Sequence, residues 1–87
     1  MGIVAPTPDW TCGPDLGSSA SPASQEAARQ FVANLGPTGT ITDTVTTCIN
    51  KVDGSEKVQV TVSDGTNYLV YVNHDHEAVS ASYSPGG

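Results

Sequence analysis

The amino-acid sequence predicts an α+β domain in which one N-terminal helix packs on a four-stranded antiparallel meander. Two patterns support this fold class: a stripe of apolar residues at helical spacing early in the chain, and later segments that alternate between apolar and polar residues. A pair of cysteines, Cys12 and Cys48, predicts one disulfide that pins an irregular N-terminal arm. At 87 residues the chain fits one domain, which we divide into an arm over 1–20, the α+β domain over 21–84 and a flexible tail over 85–87.

The helix is predicted over residues 22–35 by signals at both of its ends. Ser21 is a suitable N-cap, Pro22 is favoured in the first turn, and Gly36 followed by Pro37 stops a helix. Four apolar residues between these signals follow the spacing of one helix face: Ala28, Phe31, Val32 and Leu35. We expect this face to pack on the sheet.

The remainder of the chain predicts four strands separated by turns that contain glycine, asparagine or aspartate: residues 39–51, 57–63, 67–73 and 78–83. The first strand carries threonine at every second position from Thr38 to Thr46. We expect these threonines to face solvent, with Ile41 and Val45 on the opposite face. The alternative, a threonine array that binds an ordered surface such as ice, needs ladders on several strands, and the later strands carry only scattered threonines.

The same alternation places Cys48 on the threonine face. We therefore expect the N-terminal arm to cross the sheet face opposite the helix, where Trp10 would cover part of it. A β-bulge near Thr46 and Thr47 that turns Cys48 inward is the alternative.

The two cysteines also predict the compartment. They are far apart in a short acidic chain and belong to no CxxC or Cys/His motif, which favours a structural disulfide formed in an oxidising environment. The predicted location is extracellular or at the cell surface. The N-terminus shows no signal-peptide pattern, so we expect a mature or excised form of an exported protein.

Charge excludes two classes of partner. The net charge is −6, and the chain contains only three Lys or Arg residues. Nucleic acid binding requires several phosphate contacts from a basic patch, which three scattered cations do not provide. The same shortage argues against attachment to anionic membranes, and no apolar run reaches the length of a membrane span.

One cluster of metal-capable side chains occurs in the sequence, His74-Asp75-His76-Glu77. His74 and His76 are weak candidates for metal ligands, because four adjacent residues in a turn seldom converge and no third ligand elsewhere is evident. We interpret the cluster as an exposed hairpin turn and expect no metal or other cofactor. No nucleophile motif or paired-carboxylate site is evident, so we expect no enzymatic activity and assign no catalytic residue.

Three segments carry a family resemblance: the helix ASQEAARQFVANLG, the strand TDTVTTCINK with its cysteine, and the hairpin VQVTVSDGTNYLVYV. Together with the Pro/Ser/Thr-rich start, they resemble the small disulfide-containing α+β domains of secreted proteins and lipoproteins of high-GC Gram-positive bacteria. The resemblance covers most of the chain and implies an exported α+β domain without a defined activity.

These observations lead to the hypothesis of a monomeric, non-enzymatic extracytoplasmic domain that binds another protein or a cell-envelope component. We expect the contact surface at an exposed sheet edge or on the polar sheet face. The candidate binding residues are the aromatic ones, for which packing on the sheet is the alternative role: Trp10, Tyr68, Tyr71 and Tyr83. Two other functions remain open, a secreted protease inhibitor with Cys12-Gly13-Pro14 in its exposed loop and a structural spacer in a larger surface protein.

Overall fold

The computed structural model describes residues 10–13 and 21–84. The elements in chain order are β1 (Trp10–Cys12), α1 (Pro22–Asn34), β2 (Ile41–Asn50), β3 (Glu56–Val62), β4 (Asn67–Val72) and β5 (Ala78–Ser84). All five strands form one antiparallel sheet whose spatial order is the chain order. Helix α1 packs on one face, which we call the helix-side face, and we call the opposite face the open face.

The predicted class is confirmed, and the predicted number of strands is wrong. The additional strand, Trp10–Cys12, lies in the segment that was expected to have no regular structure, and it precedes the helix. Three residues between prolines and glycines are too few to show a period, so only pairing with β2 identifies them as a strand. The rest of the predicted arm (1–9 and 14–20) and the predicted tail (85–87) lie outside the described residues.

Both helix ends follow the predicted signals. Ser21 has extended backbone angles (φ −94°, ψ 123°), and its side chain accepts a hydrogen bond from the Ser24 backbone N–H. Pro22 begins the helix, where its missing N–H has no intrahelical partner to lose. After Asn34 the chain turns through Gly36, whose φ of +75° is easily reached only by glycine.

The core lies between α1 and the middle of the sheet. Alternation along β3 and β4 puts every second residue on the helix-side face, and these meet two residues of the helix. The seven buried core residues are Ala28, Val32, Val58, Val60, Val62, Val70 and Val72. The predicted helix stripe is rotated: Ser24 is fully buried, whereas Leu35 is 53% exposed. Ser24, Ala28 and Val32 are spaced by four residues and form the line that contacts the sheet.

Strand β2 contains the main departure from the predicted alternation. Thr44 lies opposite Val60 and Thr46 opposite Val58, so these threonines share the helix-side face with the core valines. Thr46 is only 4% exposed, whereas Val45, on the open face, is 47% exposed. The prediction of a solvent-facing threonine strand is therefore wrong here. The physical reason is a polar network at the start of α1 that uses the threonine hydroxyl, described below.

The position of Cys48 follows from a β-bulge. The β2–β3 register shifts between Thr46 and Cys48, and this extra residue places Cys48 opposite Lys57 on the open face. The bulge lies where the alternative to a crossing arm placed it, but it turns Cys48 away from the helix and not inward. The prediction that the arm crosses the open face is wrong for its described part, which pairs with β2 at the edge of the sheet.

Candidate functional site

The β1 edge of the sheet is held by a covalent bond. Cys12 lies directly opposite Cys48 in the β1–β2 pair, and the two form a disulfide with an S–S distance of 2.08 Å and a Cα–Cα distance of 4.1 Å. The predicted bridge is thus present. It fixes a strand of only three residues to the last part of β2.

Trp10 packs over the open face beside this disulfide. Its ring lies edge-on to the ring of Tyr71, with centroids 6.2 Å apart, and the Lys57 ammonium is 4.6 Å from its centroid. The Tyr71 hydroxyl in turn donates a hydrogen bond to Ser55 Oγ at 3.0 Å. Both aromatic residues are half-buried. Their contacts connect β1 to β3 and β4, which is a packing role.

The opposite edge, formed by β5, is built differently. Its outer side has no partner strand within the described residues, and Val79 to Ser84 are all exposed. The β5 sequence, AVSASYS, contains no charged residue, proline or glycine. After a bulge near Val79, the pairing with β4 is regular from Ser80 to Ser84. Such an edge presents backbone N–H and C=O groups in a row, which is a template for another strand.

The two faces beside β5 differ in chemistry. On the helix-side face, Tyr83 is 68% exposed and its ring centroid lies 5.9 Å from that of Tyr68, while Ala81 leaves space next to it. On the open face, two serines of β5 help to line a shallow depression of about 350 Å³. Its lining is uncharged: Gln59, Asn67, Tyr68, Leu69, Ser82 and Ser84. An added strand would therefore meet an aromatic surface on one side and hydroxyl and amide groups on the other.

The structure separates the four aromatic candidates into two pairs. Trp10 and Tyr71 lie together on the open face near β1, and Tyr68 and Tyr83 lie together on the helix-side face near β5. Tyr68 is half-buried against the core. Tyr83 is the most exposed of the four and is the one that lies on β5, the edge strand of the described sheet.

Residues 73–77 form the β4–β5 turn, and their polar groups are largely used within it. Asn73 Oδ1 accepts hydrogen bonds from the backbone N–H groups of Asp75 and Glu77, both at 3.0 Å. His74 Nε2 lies 3.6 Å from Asp75 Oδ1. His76 has a φ of +63° and shares a 3.0 Å hydrogen bond with Ser24.

The same turn contains the two weak metal candidates, His74 and His76. Within residues 10–13 and 21–84, no three His, Cys, Asp or Glu side chains are arranged to hold a metal ion. The Ser24 hydroxyl that meets His76 belongs to a fully buried residue. The contact between Ser24 and His76 therefore links the β4–β5 turn to the first turn of helix α1.

Glu56 is a buried carboxylate that the sequence did not reveal. It is 3% exposed, and its Oε1 accepts hydrogen bonds from Thr46 Oγ1 at 3.2 Å and from the Ser21 backbone N–H at 3.4 Å. Gln25 Nε2 donates to Thr46 Oγ1 at 3.3 Å. A carboxylate at a helix start is favoured by the helix dipole. The network joins α1 to β2 and β3, and no pattern in the sequence marked it.

Two exposed carboxylates, in the β2–β3 and β3–β4 turns, have pKa values lowered by hydrogen bonds. The Asp64 carboxylate accepts one hydrogen bond from Thr38 Oγ1 at 2.7 Å and another from the Thr66 backbone N–H at 2.9 Å, and these bonds lower the pKa of Asp64. In the β2–β3 turn, the Ser55 N–H donates to Asp53 at 2.8 Å and lowers the pKa of that carboxyl. Both interactions stabilise turns.

Comparison with known protein families, curated proteins and solved structures finds no match to the chain. Among the described residues, the single helix falls short of the length and apolarity needed to cross a membrane.

Proposed function

We propose that this chain is a non-enzymatic extracytoplasmic domain that binds an extended segment of a partner protein along the outer edge of β5. One observation carries the proposal: a seven-residue edge strand that is uncharged and exposed and has no partner strand among the described residues. A bound segment adds a sixth strand, its affinity comes from backbone hydrogen bonds, and its specificity comes from side chains on alternate positions.

Protection of the other edge supports the choice of β5. Sheet edges are normally blocked against pairing by short strands, bulges or charges. Strand β1 has three residues and a disulfide, and the part of β2 that extends beyond it contains two bulges and Asp43. In β5, the five residues from Ser80 to Ser84 contain no bulge, no charge and no disulfide.

The disulfide supports the extracytoplasmic part of the proposal, because such bonds persist mainly in oxidising compartments and are common in small exported domains. The non-enzymatic part is supported by the contact between Ser24 and His76. This is the described pair that most resembles a nucleophile with its base, and Ser24 is fully buried beneath the helix, where no substrate reaches it.

Selection of random twelve-residue peptides displayed on phage tests the proposal. We expect selected peptides to have β-forming sequences, and their binding to shift the NMR signals of β5 amides. Peptides whose shifts cluster on the Trp10 and Tyr71 surface instead would contradict the proposal. Sedimentation of the protein without peptide should show a monomer. A dimer formed through β5 would mean that a second copy of the chain, and not a partner segment, occupies this edge.

A backbone variant makes the test specific for the edge. The chain can be assembled from two peptides joined chemically at Cys48, with one N-methyl group on the backbone nitrogen of Ala81 or of Ser82. Successive N–H groups of a strand point to opposite sides, so one of these positions faces β4 and the other faces outward. The outward N-methyl group should leave the circular dichroism unchanged and abolish peptide binding, whereas the other weakens the β4–β5 pairing. Unchanged affinity in both would contradict binding at this edge.

A further inference from the structure

The two ends of β5 differ in charge. At its first residue, Ala78, the strand follows the 73–77 turn, which carries the exposed carboxylates of Asp75 and Glu77. At its last residue, Ser84, the paired residue on β4 is Asn67, and neither is charged. A segment bound along β5 therefore has one end beside two carboxylates of the adjoining turn and the other end beside an uncharged pair, with the single carboxylate of Asp64 one turn further away.

No Lys or Arg on these elements compensates the two carboxylates, and the neighbouring basic group is His74, whose Nε2 lies 3.6 Å from Asp75 Oδ1. The region from Asn67 to Ser84 contains no Lys or Arg. Of the three cations in the chain, Arg29 is paired with Glu26, Lys57 lies over the Trp10 ring, and Lys51 is in the β2–β3 turn. With a net charge of −6, the whole chain adds to the preference for a basic partner at this end.

We infer that the partner segment runs antiparallel to β5 and carries basic residues at its C-terminal end. The inference rests on the proposed function. Every strand pair in this sheet is antiparallel, and antiparallel pairing is slightly more stable per residue than parallel pairing. In that orientation the C-terminal end of the bound segment lies beside Ala78, next to Asp75 and Glu77. Its lysines or arginines then neutralise those carboxylates.

The faces of β5 add a side-chain pattern to this direction. Positions of the segment that point to the helix side meet Ala81 and Tyr83, so apolar residues are favoured there. Positions that point to the open face meet Ser80, Ser82 and Ser84, where threonine, serine or an amide fits. The partner is thus an extended segment that alternates between apolar and hydroxyl or amide residues and ends in basic residues.

Two synthetic peptides with blocked ends test the direction. One has the sequence Thr-Val-Thr-Val-Thr-Val-Lys-Lys, and the other has its two lysines at the N-terminal end. At low salt we expect the first to bind about fivefold more tightly, and we expect salt near 0.5 M to remove most of the difference, because exposed ion pairs are individually weak and screened. In the double variant Asp75→Asn and Glu77→Gln the preference should disappear. Asp64→Asn removes an exposed carboxylate from the β3–β4 turn, toward the Ser84 end of the edge, and should retain the preference.

The outcomes separate this inference from the proposed function. Equal binding of the two peptides, or tighter binding of the one with N-terminal lysines, overturns the direction and leaves binding at β5 intact. If phage-selected peptides bind at β5 and neither synthetic peptide does, the side-chain pattern is wrong and the inference fails alone. If no peptide of either kind binds at β5, the inference and the proposed function fail together.

Discussion

The two edges of this sheet are treated in opposite ways. The β1 edge is three residues long, is bonded covalently to β2 through Cys12 and Cys48, and is covered on one face by Trp10. The β5 edge is seven residues long and has no covalent link, no charge and one bulge. A short strand forms too few hydrogen bonds to stay in place by itself, so the chain uses a disulfide there. The longer strand pairs with β4 without a covalent link, and its outer side has no partner among residues 10–13 and 21–84.

This difference indicates how stability and recognition are divided over the molecule. Contacts near β1 are half-buried or covalent, and their loss should lower the free energy of unfolding. Contacts near β5 are exposed, and their loss should change binding with little effect on the fold. The following predictions test this division, beginning with the largest expected effect.

Removing the disulfide should have the largest effect on stability. In the double variant Cys12→Ala and Cys48→Ala, the free energy of unfolding should fall by about 4 kcal/mol, because the bridge closes a long loop in the unfolded chain. Urea unfolding followed by circular dichroism measures this change. Trp10 fluorescence in the absence of urea should move toward the spectrum of exposed tryptophan as β1 separates.

The β5 edge provides the control for that experiment. In the same double variant under native conditions, the NMR signals of β5 amides should stay close to their original positions. A loss of β5 signals together with those of β1 would contradict the division, because it would show that the two edges unfold as one unit.

A matched pair of aromatic substitutions compares the edges directly. Trp10→Ala removes contacts with Tyr71 and Lys57 and should lower the free energy of unfolding by about 2 kcal/mol. Tyr83→Ala removes an exposed ring that contacts Tyr68 and should cost about 0.5 kcal/mol. Peptide binding should respond in the reverse order, with Tyr83→Ala weakening it and Trp10→Ala leaving it unchanged. Equal stability losses would remove the distinction between the edges.

The interior of the sheet, between the two edges, is tested by Thr46→Val. The substitution keeps the side-chain volume and removes the hydroxyl that donates to the buried Glu56 carboxylate, so unfolding should become easier by about 1.5 kcal/mol. Thr44→Val is the control, since Thr44 shares the helix-side face and is only half-buried, and it should change stability by less than about 0.5 kcal/mol. A neutral result for Thr46→Val would mean that the network with Glu56 does not stabilise the fold.

The elements that could be predicted were those set by local chemistry. Ser21 and Gly36 define the helix ends through a side-chain hydrogen bond and a positive φ, both of which depend on residues close in sequence. Val58, Val60 and Val62 alternate because a strand with one buried face requires it. The disulfide could be anticipated from the composition and spacing of the cysteines.

The features that could not be predicted depend on partners distant in sequence. Strand β1 is recognisable only through its pairing with Ile49 and its neighbours. The bulge after Thr46 reverses the faces of β2, and it is visible only in the register with β3. Burial of Thr46 depends on Glu56 and on the start of α1, ten or more residues away. The position of β5 at the edge of the described sheet, which the candidate site requires, is a property of the whole strand order.

The smallest expected effect concerns an inner turn, whose contribution to the free energy of unfolding should depend on pH. Thr38 and the Thr66 N–H lower the pKa of Asp64 in the folded state, so its contribution to stability is complete above the pKa of the unfolded chain, near pH 4, and is lost as pH falls through the lower folded value. Asp64→Asn should therefore lower stability at pH 7 and have little effect near pH 2. Urea midpoints of the two proteins across this range measure the change. Curves that stay parallel down to pH 2 would show that these bonds do not stabilise the β3–β4 turn, and β5 peptide binding at pH 7 should be the same in both proteins.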